Sequence, residues 1–177
     1  MAKNIELYLI LNNIRSAYNV GSIFRTADAV GVGRIYLCGI TPTPSPRAYG
    51  LKLTAGEKIS KTALGAEKVV PWEYHKQTWR LLKQLSDDGL RLIALERFDR
   101  LTASKLKVKN IFKLKSYGLQ HIALLVGNEV KGLSPQILKY VDDIIEIPMH
   151  GKKESLNVAV ATGIALYTII SKLYIKI

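Results

Sequence analysis

The sequence predicts an α/β domain built on a mostly parallel sheet with helices on both faces. Three observations carry this. Short apolar runs alternate with stretches of helical period along the whole chain, the pattern of strand–helix–strand units. One run, Ile122-Ala123-Leu124-Leu125-Val126, is apolar at every position, as a strand covered on both faces must be. The chain has 177 residues, 48% hydrophobic and 23% charged, enough for one domain with a full core and too apolar for disorder. No repeat, low-complexity tract or linker interrupts it, so residues 1–177 read as a single domain with no separate RNA-binding unit.

The elements follow in order. Ile5 to Leu11 reads as a strand ended by Asn12 and Asn13. A helix is expected from about Val20 to Val30, capped by Asn19 and closed by Gly31. Its buried stripe is Val20, Ile23, Phe24, Ala27 and Val30. Arg34 to Leu37 makes a second strand, and the proline-rich stretch Thr41 to Pro46 a loop. Lys52 to Ser60 is expected as a helix, Lys68 to Pro71 as a short strand, and Tyr74 to Leu85 as a helix ending at Asp87-Asp88-Gly89. Strands follow at Leu90 to Leu95 and Ile122 to Val126. Ser134-Pro135 opens a helix with proline at its favoured first position. Asp143 to Ile147 is the last strand, and a long apolar helix begins at Ser155.

Composition restricts the function classes. The net charge is +12, which favours a polyanionic partner, because Lys and Arg displace condensed counterions from phosphates. Arg97 to Gly118 concentrates Arg97, Arg100, Lys105, Lys107, Lys109, Lys113 and Lys115 against the single acid Asp99, either as a solvated surface or as an RNA-facing patch. No run of 18 apolar residues predicts a membrane span, and no signal-like apolar segment opens the chain. The single cysteine, Cys38, cannot form an internal disulfide, so a cytoplasmic protein is expected. His75, His121 and His150 are scattered, so no metal site is expected.

Three segments have the makings of a site. In Asn19-Val20-Gly21-Ser22-Ile23-Phe24-Arg25-Thr26-Ala27, Arg25 lies about 140° around the helix from Val20 and so off the buried stripe. In Gly127-Asn128-Glu129-Val130-Lys131-Gly132-Leu133, two glycines flank a carboxylate just past a buried strand, where ligands of open α/β sheets bind. Gly127 would let a ligand approach the backbone closely. In Ile147-Pro148-Met149 through Ser155-Leu156-Asn157-Val158, a strand passes through a polar loop into a helix start, gathering unpaired backbone groups.

Taken together and in this order, these motifs closely resemble those of the SpoU family of RNA 2′-O-ribose methyltransferases, within the SPOUT superfamily, over nearly the whole chain. The resemblance implies a C-terminal deep trefoil knot that binds S-adenosylmethionine, and a homodimer joined through the last helix. It implies cofactor contacts at Leu95, Gly127, Ile147, Met149, Ser155, Leu156 and Asn157, with Ser155, Leu156 and Asn157 closing the pocket. It implies a catalytic set of Arg25, Asn19, Glu129, Ser155 and Asn157, in which Asn19 and Glu129 hold Arg25 in place. The implied substrate is tRNA or rRNA. RNA contacts are then expected at Arg15, Arg25, Arg47, Lys52, Lys105, Lys107 and Lys109. Val130 and Ala159 stand where many relatives carry glycine and serine. The competing reading is a non-catalytic RNA-binding protein that keeps the fold. A dinucleotide-binding-type methyltransferase fits poorly, because strand one leads into Asn12-Asn13-Ile14-Arg15 and not into a glycine-rich loop.

Overall fold

The structure is a computed structural model that describes residues 6–44, 54–114 and 121–174. Arg47, Lys52 and Lys115, and the end of the proline-rich loop, lie outside those residues. Among the described residues seven strands form one parallel sheet in the order β3-β2-β1-β6-β4-β7-β5. They are β1 (Leu7–Asn12), β2 (Arg34–Cys38), β3 (Trp72–His75), β4 (Arg91–Leu95), β5 (Lys109–Asn110), β6 (Ile122–Val126) and β7 (Asp143–Glu146). The helices are α1 (Ala17–Val30), α2 (Ala55–Ala63), α3 (Ala66–Val69), α4 (Thr78–Asp87), α5 (Arg100–Lys105), α6 (Pro135–Leu138) and α7 (Val158–Tyr174). The chain winds from β1 outward through β2 to β3. It then crosses to β4 and β5 on the other side, before β6 slots between β1 and β4. That reversal of direction places a topological switch point at the carboxyl ends of β1, β6 and β4, where loops diverge and leave a crevice.

The sheet alternates its side chains between two cores. Leu9 and Leu11 of β1 and Ile122, Leu124 and Val126 of β6 face α1, α2 and α7. Ile10, Ala123 and Leu125 face α4 and α6. Every β6 side chain is buried, which explains why its sequence shows no polar alternation. Helix α1 runs against α2 and α7. The α1–α2 approach is so close that a Cβ on Gly21 would lie 2.3 Å from the Ile59 carbonyl oxygen.

Several boundaries differ from expectation. Helix α1 begins at Ala17, because the Ser16 hydroxyl, and not Asn19, caps it by accepting from the Asn19 backbone N–H. Residues Lys68 and Val69 belong to a helical turn, and the strand expected at 68–71 instead begins at Trp72, once Pro71 has offered its carbonyl to the Ile35 N–H. Tyr74 is therefore in an edge strand, and the helix expected from that residue starts at Thr78. The last helix starts at Val158, with Asn157, and not Ser155, accepting from the N–H groups of Ala159 and Val160. Within the basic segment the structure forms α5, capped by the Asp99 carboxylate, and the short edge strand β5.

Candidate active site

Loops leaving β4, β6 and β7 converge with the entry to α7 around a cleft that spans about 630 Å³ including space open to solvent. Its apolar walls are Leu95, Val126, Ile147, Met149, Leu156, Val158 and Ala161. Its polar lining includes Glu96, Arg97, Asn128, Glu129 and Ser155. A largely apolar pocket with a few convergent polar groups is the common form of a small-molecule site. Among the described residues no cluster of three or more His, Cys, Asp or Glu side chains could hold a metal ion.

Beside the cleft the three motifs meet in one hydrogen-bonded chain. The Asn157 Oδ1 caps α7, at 2.8 Å from the Ala159 nitrogen, so its Nδ2 is the atom left to donate, and it donates to Asn19 Oδ1 at 3.1 Å. Asn19 must then present its own Nδ2 to the other side, where Glu129 Oε1 accepts at 3.2 Å. The helix cap thus fixes the orientation of both amides. Glu129 also accepts from the backbone N–H groups of Arg15 at 2.9 Å and Ser16 at 3.1 Å, so it ties the loop after β6 to the start of α1. Partial burial works to raise the Glu129 pKa. The hydrogen bonds from Arg15, its own backbone, Ser16 and Asn19 outweigh that and hold the carboxyl below its ordinary range.

Glu96 behaves oppositely. Burial pushes its carboxyl up, only partly offset by N–H donation from Leu133, at 2.6 Å, and Arg97. It braces the Gly132–Leu133 turn from below, and a Cβ on Gly132 would strike it at 2.4 Å from Oε2. Gly127 is small for a related reason. A Cβ there would meet the Gly132 carbonyl carbon and the Leu133 side chain, each at 2.8 Å. The glycine therefore admits a neighbouring loop on the side where a Cβ would stand, and it also lines the cleft.

The comparisons with known proteins fit this architecture. The model of the SpoU rRNA methylase family matches residues 6–167. The chain belongs to the SpoU rRNA methylase family. It is 32% identical over 162 residues to the tRNA (guanosine(18)-2′-O)-methyltransferase of Aquifex aeolicus, covering 92% of this chain and 67% of that one. To the 23S rRNA (guanosine-2′-O-)-methyltransferase of Photobacterium profundum it is 34% identical, covering 91% and 58%. The chain therefore spans from little more than half to two thirds of the length of these relatives. Among solved structures, the AdoMet-bound rRNA methyltransferase of Sinorhizobium meliloti superposes with a TM-score of 0.78 at 25% identity, covering 96% of this chain and 57% of that one.

Set out on the SpoU chain, the expected site residues divide into groups. Leu95, Gly127, Ile147, Met149, Ser155, Leu156 and Glu129 line the cleft. Asn19 and Asn157 stand beside it in the hydrogen-bonded chain. Arg25 is exposed, is not among the cleft residues, and makes no hydrogen bond among the described residues to Asn19 or Glu129. Six helical residues place it about 9 Å further along α1 and about 120° around from Asn19. Asn19 and Glu129 were expected to hold Arg25, and within one chain they do not reach it. They hold each other and Asn157.

Of the expected RNA contacts, Arg15, Arg25, Lys105, Lys107 and Lys109 are exposed. Lys109 also forms an ion pair with Asp143, alongside Arg91 at 2.6 Å, so part of its charge holds β5 to β7. Glu96 was not anticipated, and Arg97 and Asn128, read from sequence as part of the basic segment and of the second motif, were not expected in the cleft wall. The position of Glu96 and Arg97 just past the carboxyl end of β4 was the signal available for them. Cys38 is buried, and burial pushes its thiol up to about 12, so it is inert.

Proposed function

We propose that this SpoU domain is an S-adenosylmethionine-dependent methyltransferase acting on the ribose 2′-hydroxyl of a structured tRNA or rRNA. The observation that carries the reading is the hydrogen-bonded chain Glu129–Asn19–Asn157, which joins all three motifs at the rim of the cleft. The residues present suit the donor. Leu95, Ile147, Met149 and Leu156 offer apolar walls for an adenine, the strand ends offer backbone partners, and Glu96 and Glu129 offer carboxylates to a sulfonium and to hydroxyls. The bound donor supplies an already activated methyl group, so the protein has chiefly to position the acceptor and stabilise charge on it.

Arg25 is the residue assigned to that charge. Its guanidinium stays protonated at any working pH, so it acts on a developing alkoxide or orients an RNA phosphate, and not as a base. Its distance from the cleft within one chain favours delivery across a homodimer, with Arg25 of one subunit serving the cleft of the other. A dimer face is supported by α7, where Val160 is 52% and Tyr167 53% exposed despite their apolar bulk, and by Tyr18 on the neighbouring α1. The loop between β7 and α7 is the segment through which a trefoil knot would close around the donor. A cytoplasmic location accords with these roles. No described helix is long and apolar enough to cross a membrane.

The test is to incubate the protein with methyl-labelled donor and total RNA and to map the labelled nucleotide. A 2′-O-methyl product resists alkaline cleavage at that position. RNA binding with no donor binding and no transfer would favour the non-catalytic reading instead.

A further inference from the structure

A second and larger depression lies on the same edge of the sheet. It opens over the carboxyl ends of β3, β2, β1 and β6, and it spans about 1450 Å³ including space open to solvent. It touches the cleft through a shared wall, the loop at Asn128. At its far end a shallower hollow continues past Trp79 and Ile137 to Lys139 and Tyr140.

The lining has a definite chemical character. Arg15, Lys76 and Lys131 lie along the main depression and Lys139 along its extension, and no carboxylate is among the lining residues of either. Two aromatic side chains are left in the open, Trp79 at 42% and Tyr140 at 38% exposure. Arg80 sits with its guanidinium carbon 5.3 Å from the Trp79 ring centroid, adding a cation beside the indole. Gln77 and Gln136 supply amides that both donate and accept. A cationic track with exposed aromatic rings and no acid suits single-stranded nucleic acid. Phosphates follow the cations, and unstacked bases lie on the rings. A duplex cannot use the rings, because its bases are already stacked.

We infer that this groove holds an unpaired RNA segment, with Trp79 and Tyr140 as stacking platforms, and feeds the acceptor nucleotide over the Asn128 loop toward the cleft. The identity of the occupant rests on the methyltransferase reading above. The groove also moves the main RNA contact away from Lys105 and Lys107, toward residues other than Arg15 that were not expected from sequence.

The test measures fluorescence anisotropy of a short labelled single-stranded RNA of mixed sequence, with the same sequence as a duplex for comparison. Donor affinity is measured on every variant. Trp79→Ala is expected to weaken single-strand binding about tenfold, as loss of one stacked base does, while Trp79→Phe stays within about twofold of the parent. Tyr140→Ala should act in the same direction. Lys131→Ala combined with Lys139→Ala should lower the salt dependence by about two phosphate contacts. Donor affinity and melting temperature should not move. Folded Trp79→Ala and Tyr140→Ala proteins that bind the single strand as well as the parent would overturn the groove and leave the methyltransferase reading standing. A parent protein that binds donor but no RNA would overturn the groove and assign it to a protein partner. A parent that binds neither would overturn both readings.

Discussion

Replacing Gly127 by alanine tests how the cleft is built. Gly127 is not among the residues with positive φ, so the backbone tolerates alanine and any cost is steric. The added methyl would lie 2.8 Å from the Gly132 carbonyl carbon, 2.8 Å from Leu133 Cγ and 2.9 Å from the Leu133 nitrogen. Carbon atoms settle at about 3.5–4.0 Å, so the Gly132–Leu133 turn must retreat by roughly 0.7–1.2 Å. It has little room, because Leu133 is buried in the core against α4. The retreat also stretches the bond from the Leu133 N–H to Glu96, 2.6 Å in the parent. Overpacking costs about 1–3 kcal/mol, and a weakened bond to a carboxylate adds to it, for a total of about 2–4 kcal/mol. For a chain of this size that is a fall in melting temperature of about 5–15 °C. Displacing Glu96 deforms the cleft wall, so donor affinity measured by calorimetric titration should fall as well. A Gly127→Ala protein that melts within about a degree of the parent and binds donor equally would refute the steric reading of this glycine.

Other outcomes follow from the same geometry. Arg25→Ala should lower the transfer rate about 100-fold or more while leaving donor affinity intact, measured by single-turnover kinetics and titration. Loss of donor binding in a folded variant would reject that role. Asn19→Asp should destabilise by about 1–2 kcal/mol in urea unfolding, more than Asn19→Ala, because it removes the donor to Glu129 and sets two carboxylates together. Equal stability of the two variants would count against the fixed amide orientation. Asp143→Asn should cost about 2–3 kcal/mol at neutral pH, because the 4%-exposed carboxylate answers both Arg91 and Lys109. Burial works to raise the Asp143 pKa, but those two cations lower it below its ordinary value. Its stabilisation is therefore complete above about pH 4 and is lost as pH falls through the depressed folded value. The gap between parent and variant should close in urea melts at acid pH, and a gap independent of pH would exclude the ion pairs as its source.

Much of this architecture was legible because it is written in local periodicity. The all-apolar run of β6 and the buried stripe of α1 depend only on neighbours a few positions away, and both formed, with Val30 at the end of the stripe only half-buried. The errors arose where two local signals overlapped. Tyr74 continues the helical spacing of α4, yet Trp72–His75 completes the sheet, because β2 still has an open edge there. Asn19 and Ser16 are both good caps, and the chain uses Ser16, which frees the Asn19 amide to face Glu129.

The sequence by itself determined the parallel α/β class, the motif residues and the cationic character, since these follow from residue type and spacing. Only tertiary structure decided that a neighbouring loop packs against Gly127, that Lys109 pairs with Asp143, that Arg25 stands apart from the cleft, and that Trp79 and Tyr140 border one groove. Each of those depends on a distance between segments far apart along the chain. Such distances come from how strands are ordered in the sheet, which no short-range pattern encodes.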